Sequence, residues 1–141
     1  MEYEFPSEEW VSAYKDAVNA NEGYRKAGKD WTFGAVAMVV EADASIGIEK
    51  AIGMILDVHE GVCRGTKYVL GIDGVESAPF IIVGSYDRWK EVVEGKSDPI
   101  KAMMQGKLKL QKGHLPTILR FVESNRQLVV SATHVATRFK K

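Results

Sequence analysis

Three short stretches hold the side chains best suited to chemistry, and the first pairs a carboxylate with an imidazole. Asp57 and His59 are two residues apart, so both face the same side of an extended strand. The pair would supply two metal ligands, or a general base and the group that orients it. The alternative is a solvated strand face, which Glu60 continues. Because no third ligand stands out in the sequence, we favour the solvated face and predict no metal.

The second stretch holds Cys63, the single cysteine. It would act as a nucleophile if His59 folded against it across a hairpin. A lone cysteine beside a strand is more commonly a small core residue, and we favour that interpretation. The absence of a second cysteine fits a reducing compartment. His114, in a predicted turn, and His134, late in the last helix, are expected at the surface.

The third stretch, Gly95-Lys96-Ser97, ends like a phosphate-binding loop. It lacks the upstream glycine of G-x-x-x-x-G-K-[ST], and it lies between two predicted helices instead of between a strand and a helix. No G-x-G-x-x-G occurs either. The common catalytic signatures therefore fail, and we predict a protein that is not an enzyme and needs no cofactor.

The composition predicts one globular domain spanning residues 1–141. Hydrophobic residues make up 45% and charged residues 27%, with 19 basic and 19 acidic side chains. The densest basic stretch, residues 107–112, alternates lysine with leucine as a half-buried strand does, so we predict no nucleic-acid partner. Residues 1–6 are acidic, and the longest apolar run, 31–40, is about half a membrane span. A cytoplasmic protein is therefore expected.

Apolar patterning predicts strands at 31–41, 50–59, 62–70, 80–83 and 107–112. The first strand is apolar on both faces, so we expect it to be covered on both sides. The second could also be read as a helix, but Gly47 and Gly53 each weaken a helix by about 1 kcal/mol. A hairpin through Gly61 joins it to the third strand.

Helix signals surround these strands. Ser7 begins a first helix whose apolar stripe runs from Trp10 to Val18, with Gly23 or Gly28 as its end. Ser85 begins a second helix that ends at Gly95, and Asp98-Pro99 begins a short third that ends at Gly106. A long last helix runs from Pro116 to Ala136, with a polar break at Asn125-Arg126-Gln127. This order predicts an α+β fold: a mostly antiparallel sheet with helices packed on one face.

Residues Tyr86 to Leu110 strongly resemble the type-2 sterol carrier protein family. The resemblance lies in a helix that ends in glycine, the Asp98-Pro99 helix start, and Gly106-Lys107-Leu108-Lys109 before a C-terminal helix. The strand at 31–41 and the hairpin after it also resemble the family's opening strands, so the resemblance covers roughly residues 7–137. The chain ends Phe139-Lys140-Lys141, where animal members carry a peroxisomal tripeptide. It is more similar to the stand-alone prokaryotic branch.

The resemblance implies a five-stranded sheet with helices that enclose an apolar pocket. It also implies binding and transfer of a fatty acid, acyl-CoA or other lipid without chemical conversion, with a sterol less expected. Adjacent methionines at 103 and 104 suit such a surface, because methionine adapts to varied apolar shapes. The pocket wall we predict combines inward strand residues and apolar helix residues: Val36, Met38, Met54, Leu56, Ile82, Trp89, Met103, Met104, Leu108, Leu110, Ile118, Leu119 and Val122.

The main alternative is an accessory or dimerisation module whose apolar residues fill an ordinary core. A sheet–helix interface with no cavity larger than a few waters would favour it. Transient contact with a membrane and a homodimer are both left open by the sequence.

Overall fold

The computed structural model describes residues 2–140. Met1 and Lys141, which belong to the terminal segments considered above, lie outside the described residues. The helices and strands are β1 (Tyr3–Phe5), α1 (Glu8–Ala20), α2 (Glu22–Ala27), β2 (Val36–Val40), β3 (Ile52–His59), β4 (Val62–Leu70), β5 (Phe80–Gly84), α3 (Tyr86–Val93), α4 (Pro99–Met104), β6 (Lys109–Lys112), α5 (Leu115–Arg120), α6 (Val122–Thr133) and β7 (Thr137–Phe139). Short 3-10 helices cover Ala44–Ile46 and Ile72–Val75.

The main sheet has five strands in the order β4-β3-β2-β5-β6. β2 pairs in parallel with β5, and the other neighbours are antiparallel. Glu60 and Gly61 both have positive φ at the turn between β3 and β4, as a tight hairpin of this twist requires. The predicted α+β class and mostly antiparallel five-stranded sheet are confirmed.

The two faces of the central strand are buried against different layers. Met38 and Val40 of β2 join the large cluster that contains the helices. Ala37 and Val39 face the other way, where Val75 of the second 3-10 helix joins a smaller cluster. The expectation of a strand covered on both sides is therefore confirmed, and the α-helices lie on the Met38 face.

The first predicted helix is two helices. Asn21 has φ −92° and ψ 103°, which ends α1, and its side chain accepts hydrogen bonds from Gly23 N and Tyr24 N to begin α2. Asn21 Nδ2 also donates to Gln127 O and to Ser131 Oγ of α6. The Asn21 side chain therefore lies at the junction of α1 and α2 and connects this junction to α6 by hydrogen bonds.

The last predicted helix is also divided, and its expected extent was wrong. The break lies at Phe121 (φ −116°, ψ 40°), not at 125–127, where α6 is continuous. The Phe121 ring packs against Trp31 with ring centroids 5.1 Å apart. α6 ends at Thr133, and the following residues form β7, which pairs in parallel with the unpredicted β1. Aromatic packing and terminal strand pairing override the helical period.

Candidate functional site

A small cavity of about 50 Å³ lies between the helix-covered face of the sheet and helices α3 and α6. Its lining residues are almost all apolar: Tyr14, Val36, Met38, Leu56, Val58, Ile82, Trp89, Val92, Val93, Pro99, Asn125, Leu128, Val129 and Ala132. The period-two alternation of β2, β3 and β5 turns Met38, Leu56 and Ile82 toward the helices.

The polar groups in this wall are bonded within the protein. Trp89 Nε1 donates to Val39 O at 2.8 Å, and Asn125 Nδ2 donates to Phe121 O at 2.9 Å. The Tyr14 hydroxyl donates to Leu128 O at 2.8 Å, and burial raises the pKa of Tyr14 well above its ordinary range. Within residues 2–140, no buried side-chain nitrogen or oxygen lacks a partner. The cavity therefore offers a guest mainly apolar contact, and each polar side chain in its wall makes a hydrogen bond to the protein.

The predicted wall residues divide into three groups. Lining the cavity are Val36, Met38, Leu56, Ile82 and Trp89. In the core but away from the cavity lining are Met54, Leu108 and Ile118, with Met103 and Leu110 partly buried against the core. Exposed at the surface are Met104, Leu119 and Val122.

Apart from Trp89, the helix residues of the wall were missing from the prediction. Val92 and Val93 come from α3, and Leu128, Val129 and Ala132 come from α6. Their apolar stripes were visible in the sequence, but the stripes do not tell which helix lies over which strand. For Tyr14, the sequence indicated only a place in the apolar stripe of α1, and nothing indicated that it lines a cavity.

An open depression of about 280 Å³ lies next to the cavity and shares Pro99 and Val129 with its wall. The Gly95–Pro99 loop and the outer side of α6 form it, and Lys96 and Arg126 stand at its rim. Each of these cations pairs with an acid on its own segment, at 3.4 Å to Glu94 and 3.0 Å to Glu123. The cavity therefore shares two residues with a surface depression whose lining includes Lys96, Arg126 and Asp98.

Two larger depressions, of about 640 and 560 Å³, lie on the other side of α1. Both are open to solvent and share Glu8, Glu9 and Tyr68. Burial and then the neighbouring carboxylates, Glu9 first, raise the pKa of Tyr68. An open, acidic surface disfavours both an apolar chain and an anionic head group, so we place the candidate site at the smaller cavity.

The candidate catalytic residues pair with other groups. Asp57 bonds Arg64 at 3.1 Å, and His59 Nε2 contacts Glu60 at 2.8 Å. Cys63 is buried, and burial raises its pKa to about 11, so its thiol stays protonated at neutral pH. Across residues 2–140, no three His, Cys, Asp or Glu side chains group as a metal site would need.

No helix in the described part of the chain combines the length and apolar character needed to cross a membrane.

Comparison with known proteins identifies the fold. The chain has 36% sequence identity to a crystal structure of sterol carrier protein 2, with a TM-score of 0.86, covering 92% of this chain and 98% of that one. A conserved hypothetical protein of Thermus thermophilus, described as a candidate sterol carrier protein, matches with a TM-score of 0.86 at 36% identity, covering 94% of this chain and 90% of that one. The apo form of sterol carrier protein 2 from Yarrowia lipolytica shares the fold, with a TM-score of 0.55 at 18% identity over 88% of this chain and 89% of that one.

No curated protein sequence matches this chain. The model of the SCP-2 sterol transfer family matches residues 37–122, which include all of β2 but its first residue, β3 to β6, α3 to α5 and the break at Phe121. The chain therefore belongs to the SCP-2 sterol transfer family.

Proposed function

We propose that residues 1–141 act as one carrier domain, which binds the acyl chain of a lipid between the sheet and α3 and α6 and transfers it chemically unchanged. The observation that carries this proposal is the cavity wall, where every polar side chain is bonded within the protein. Transfer of each methylene group from water into such a cavity is favourable by about 0.8 kcal/mol of free energy. A water molecule would find few hydrogen-bond partners there.

The cavity must widen to hold a lipid. Pockets for lipid-sized ligands measure roughly 300–1,000 Å³, whereas this cavity measures about 50 Å³. Tyr14 and Asn21 hold α6 on its α1 and α2 side through bonds to Leu128, Gln127 and Ser131. We therefore expect the opening on the opposite side, at the seam between α4 and α6.

Two glycines flank the α4 side of that seam. Gly95 (φ 79°) precedes α4 and Gly106 (φ 76°) follows it, both in the left-handed region that glycine adopts without strain. The segment between them carries Pro99, which lines both the cavity and the outer depression. Movement of this segment would join the two spaces.

The rim of the depression supports a particular ligand class. Lys96 and Arg126 stand where the head group of a bound chain would emerge, and both are more than half exposed. A carboxylate or phosphate would interact with these cations more strongly than a neutral sterol hydroxyl would, because the hydrogen bond is then between opposite charges. We therefore propose a fatty acid or acyl-CoA ligand in preference to a sterol.

Solvent extraction with lipid mass spectrometry, followed by titration with a fluorescent fatty acid, tests this function. We expect saturable binding at one site per chain, competed by palmitate and palmitoyl-CoA more strongly than by cholesterol. A protein that carries no lipid and saturates with none would refute the carrier function. Stronger competition by cholesterol would refute the ligand class alone.

A second candidate, an accessory or dimerisation module with a filled core, is favoured by the small volume of the cavity. It predicts a stable dimer or a heteromeric complex at micromolar concentration and no lipid binding. Sedimentation of the purified protein in the same buffer as the titration separates the two functions.

A further inference from the structure

The charges of this chain are strongly segregated although their sum is zero. Residues 1–87 carry 15 acidic and 7 basic side chains, whereas residues 88–141 carry 4 acidic and 12 basic ones. Between Asp98 and Glu123 there are five cations and no carboxylate. That interval comprises α4, β6 and α5, and β6 is the edge strand of the main sheet. We call the exposed side chains of residues 99–122 the basic edge.

In the described part of the chain, the cations of the basic edge have no acidic partners. None of its lysines, nor Arg120, forms an ion pair with a carboxylate within residues 2–140. Lys101, Lys107 and Lys109 are exposed. Lysines on an edge strand also discourage that strand from pairing with a strand of another molecule. This role would explain the lysines of β6 itself, but it does not explain the cations of the segments on either side of β6.

Large apolar side chains are exposed among these cations. Met104 at the end of α4 is 70% exposed, and Leu115, Leu119 and Val122 around α5 are 36–40% exposed. The Arg120 guanidinium lies 5.9 Å from the ring centroid of Phe33, itself 39% exposed. Exposed leucine and methionine interleaved with lysine is the pattern of surfaces that insert into the boundary of an anionic bilayer.

We propose that the basic edge docks on membranes rich in anionic phospholipid. The opposite charge on α1 disfavours docking through that helix, because Glu8, Glu9 and Asp16 lie on its exposed part. The inference deepens the proposed function, since α4 forms part of both the basic edge and the cavity wall. Docking there brings the proposed opening against the bilayer, and charge complementarity with exposed apolar side chains selects a membrane over a soluble acidic protein.

Flotation of the full chain with vesicles tests this inference. Phosphatidylcholine vesicles containing phosphatidylglycerol should bind the protein, and pure phosphatidylcholine vesicles should not. Each cation near an anionic surface contributes about fivefold to binding. Replacing Lys101, Lys107 and Lys109 by glutamine should therefore weaken binding about 100-fold. A matched variant with Lys26, Lys29 and Lys67 replaced by glutamine has the same net charge and should bind as the native protein does.

A second pair of variants tests the apolar part. Met104→Ser with Leu119→Ser should weaken vesicle binding about tenfold, because less apolar surface enters the bilayer. Leu70→Ser, on the β4 edge at 63% exposure, is the control and should change nothing. Circular dichroism establishes that each variant is folded.

Three outcomes would overturn the inference: equal binding to neutral and anionic vesicles, equal loss in the two lysine variants, or no vesicle binding at all. Binding to poly-glutamate as strong as to vesicles, unaffected by Met104→Ser with Leu119→Ser, would also overturn it and point to an acidic macromolecule. The fatty-acid titration is run without vesicles, so a failure of docking is distinguishable from a failure of lipid binding.

Discussion

Filling the cavity should strongly weaken lipid binding without unfolding the protein. Ala132 of α6 lines the cavity and is 3% exposed. Ala132→Leu adds three carbon atoms beside a space of about 50 Å³, where methylenes of the acyl chain would lie. Excluding three methylenes costs the ligand about 2.4 kcal/mol, which corresponds to a Kd about 60-fold higher.

The matched control is Ala78→Leu. Ala78 is also 3% exposed, but it belongs to the smaller cluster on the opposite face of the sheet. Overpacking should cost either variant about 1–3 kcal/mol of unfolding free energy, with the lower value expected where the cavity absorbs the new carbons. Lipid affinity should fall in Ala132→Leu alone.

Titration with a fluorescent fatty acid measures the Kd, and urea denaturation measures the unfolding free energy. An Ala132→Leu protein that is folded and binds within about threefold of the native affinity would refute the location of the site, because that change is far below the expected 60-fold. Equal weakening in Ala78→Leu would show that lost stability, and not a blocked cavity, lowers the affinity.

Three further predictions concern the rim, the helix break and the buried thiol. Arg126→Gln should weaken binding of a fatty acid by up to about fivefold, since an exposed charge contributes little. The affinity for a fatty alcohol of equal length should not change. The control is Arg88→Gln, which breaks the similar exposed pair with Glu91. Asn21→Ala should lower the unfolding free energy by about 2 kcal/mol in urea denaturation, because a helix cap and the bonds to α6 are lost together; a loss below about 0.5 kcal/mol contradicts that role. Because burial raises the pKa of Cys63 to about 11, the unfolded chain loses this proton first as pH rises, so the unfolding free energy should fall between pH 9 and 11. Cys63→Ala should make that fall shallower, and an unchanged slope would contradict the raised pKa.

Local signals were enough to predict most of the sheet. The predicted strand at 62–70 has the same bounds as β4. Gly61 and Gly71, both with positive φ, lie directly before and after this strand and mark its two ends. The strand predicted to begin at 31 begins at Val36 instead. Trp31 lies outside the strand, and its indole Nε1 donates a hydrogen bond to Gly34 O at 2.9 Å. Gly34 itself has a φ of 104°, which a strand residue does not adopt. An apolar run alone does not show where the backbone leaves the sheet.

Long-range packing decided the features that the sequence did not reveal. Short turns suggest antiparallel neighbours, but the parallel pairing of β2 with β5 depends on where the chain returns after the β3–β4 hairpin. The break at Phe121 depends on packing against Trp31, which is ninety residues earlier in the sequence. The apolar pattern with a helical period continues through Phe121, so the sequence did not indicate the break.

Predicting the site was harder for the same reason. The alternation of the strands correctly turned Met38 and Ile82 toward the helices, and both line the cavity. The helix part of the wall depended on which turns of α3 and α6 lie over those strands. Met104 and Leu119 belong to apolar stripes like the wall residues, yet both are exposed. A stripe indicates an apolar face without telling what covers it.

The central claim is that an acyl chain lies between the sheet and α3 and α6, and NMR of the protein with ¹³C-labelled palmitate tests it most directly. A chain in this position should give nuclear Overhauser effects from its methylenes to the methyl groups of Met38, Ile82 and Val129, which surround the cavity. No such effects are expected to Val75 or Ala78, on the opposite face of the sheet. Saturable binding whose contacts fall on the opposite face, or on the acidic depressions beside α1, would contradict this position of the acyl chain.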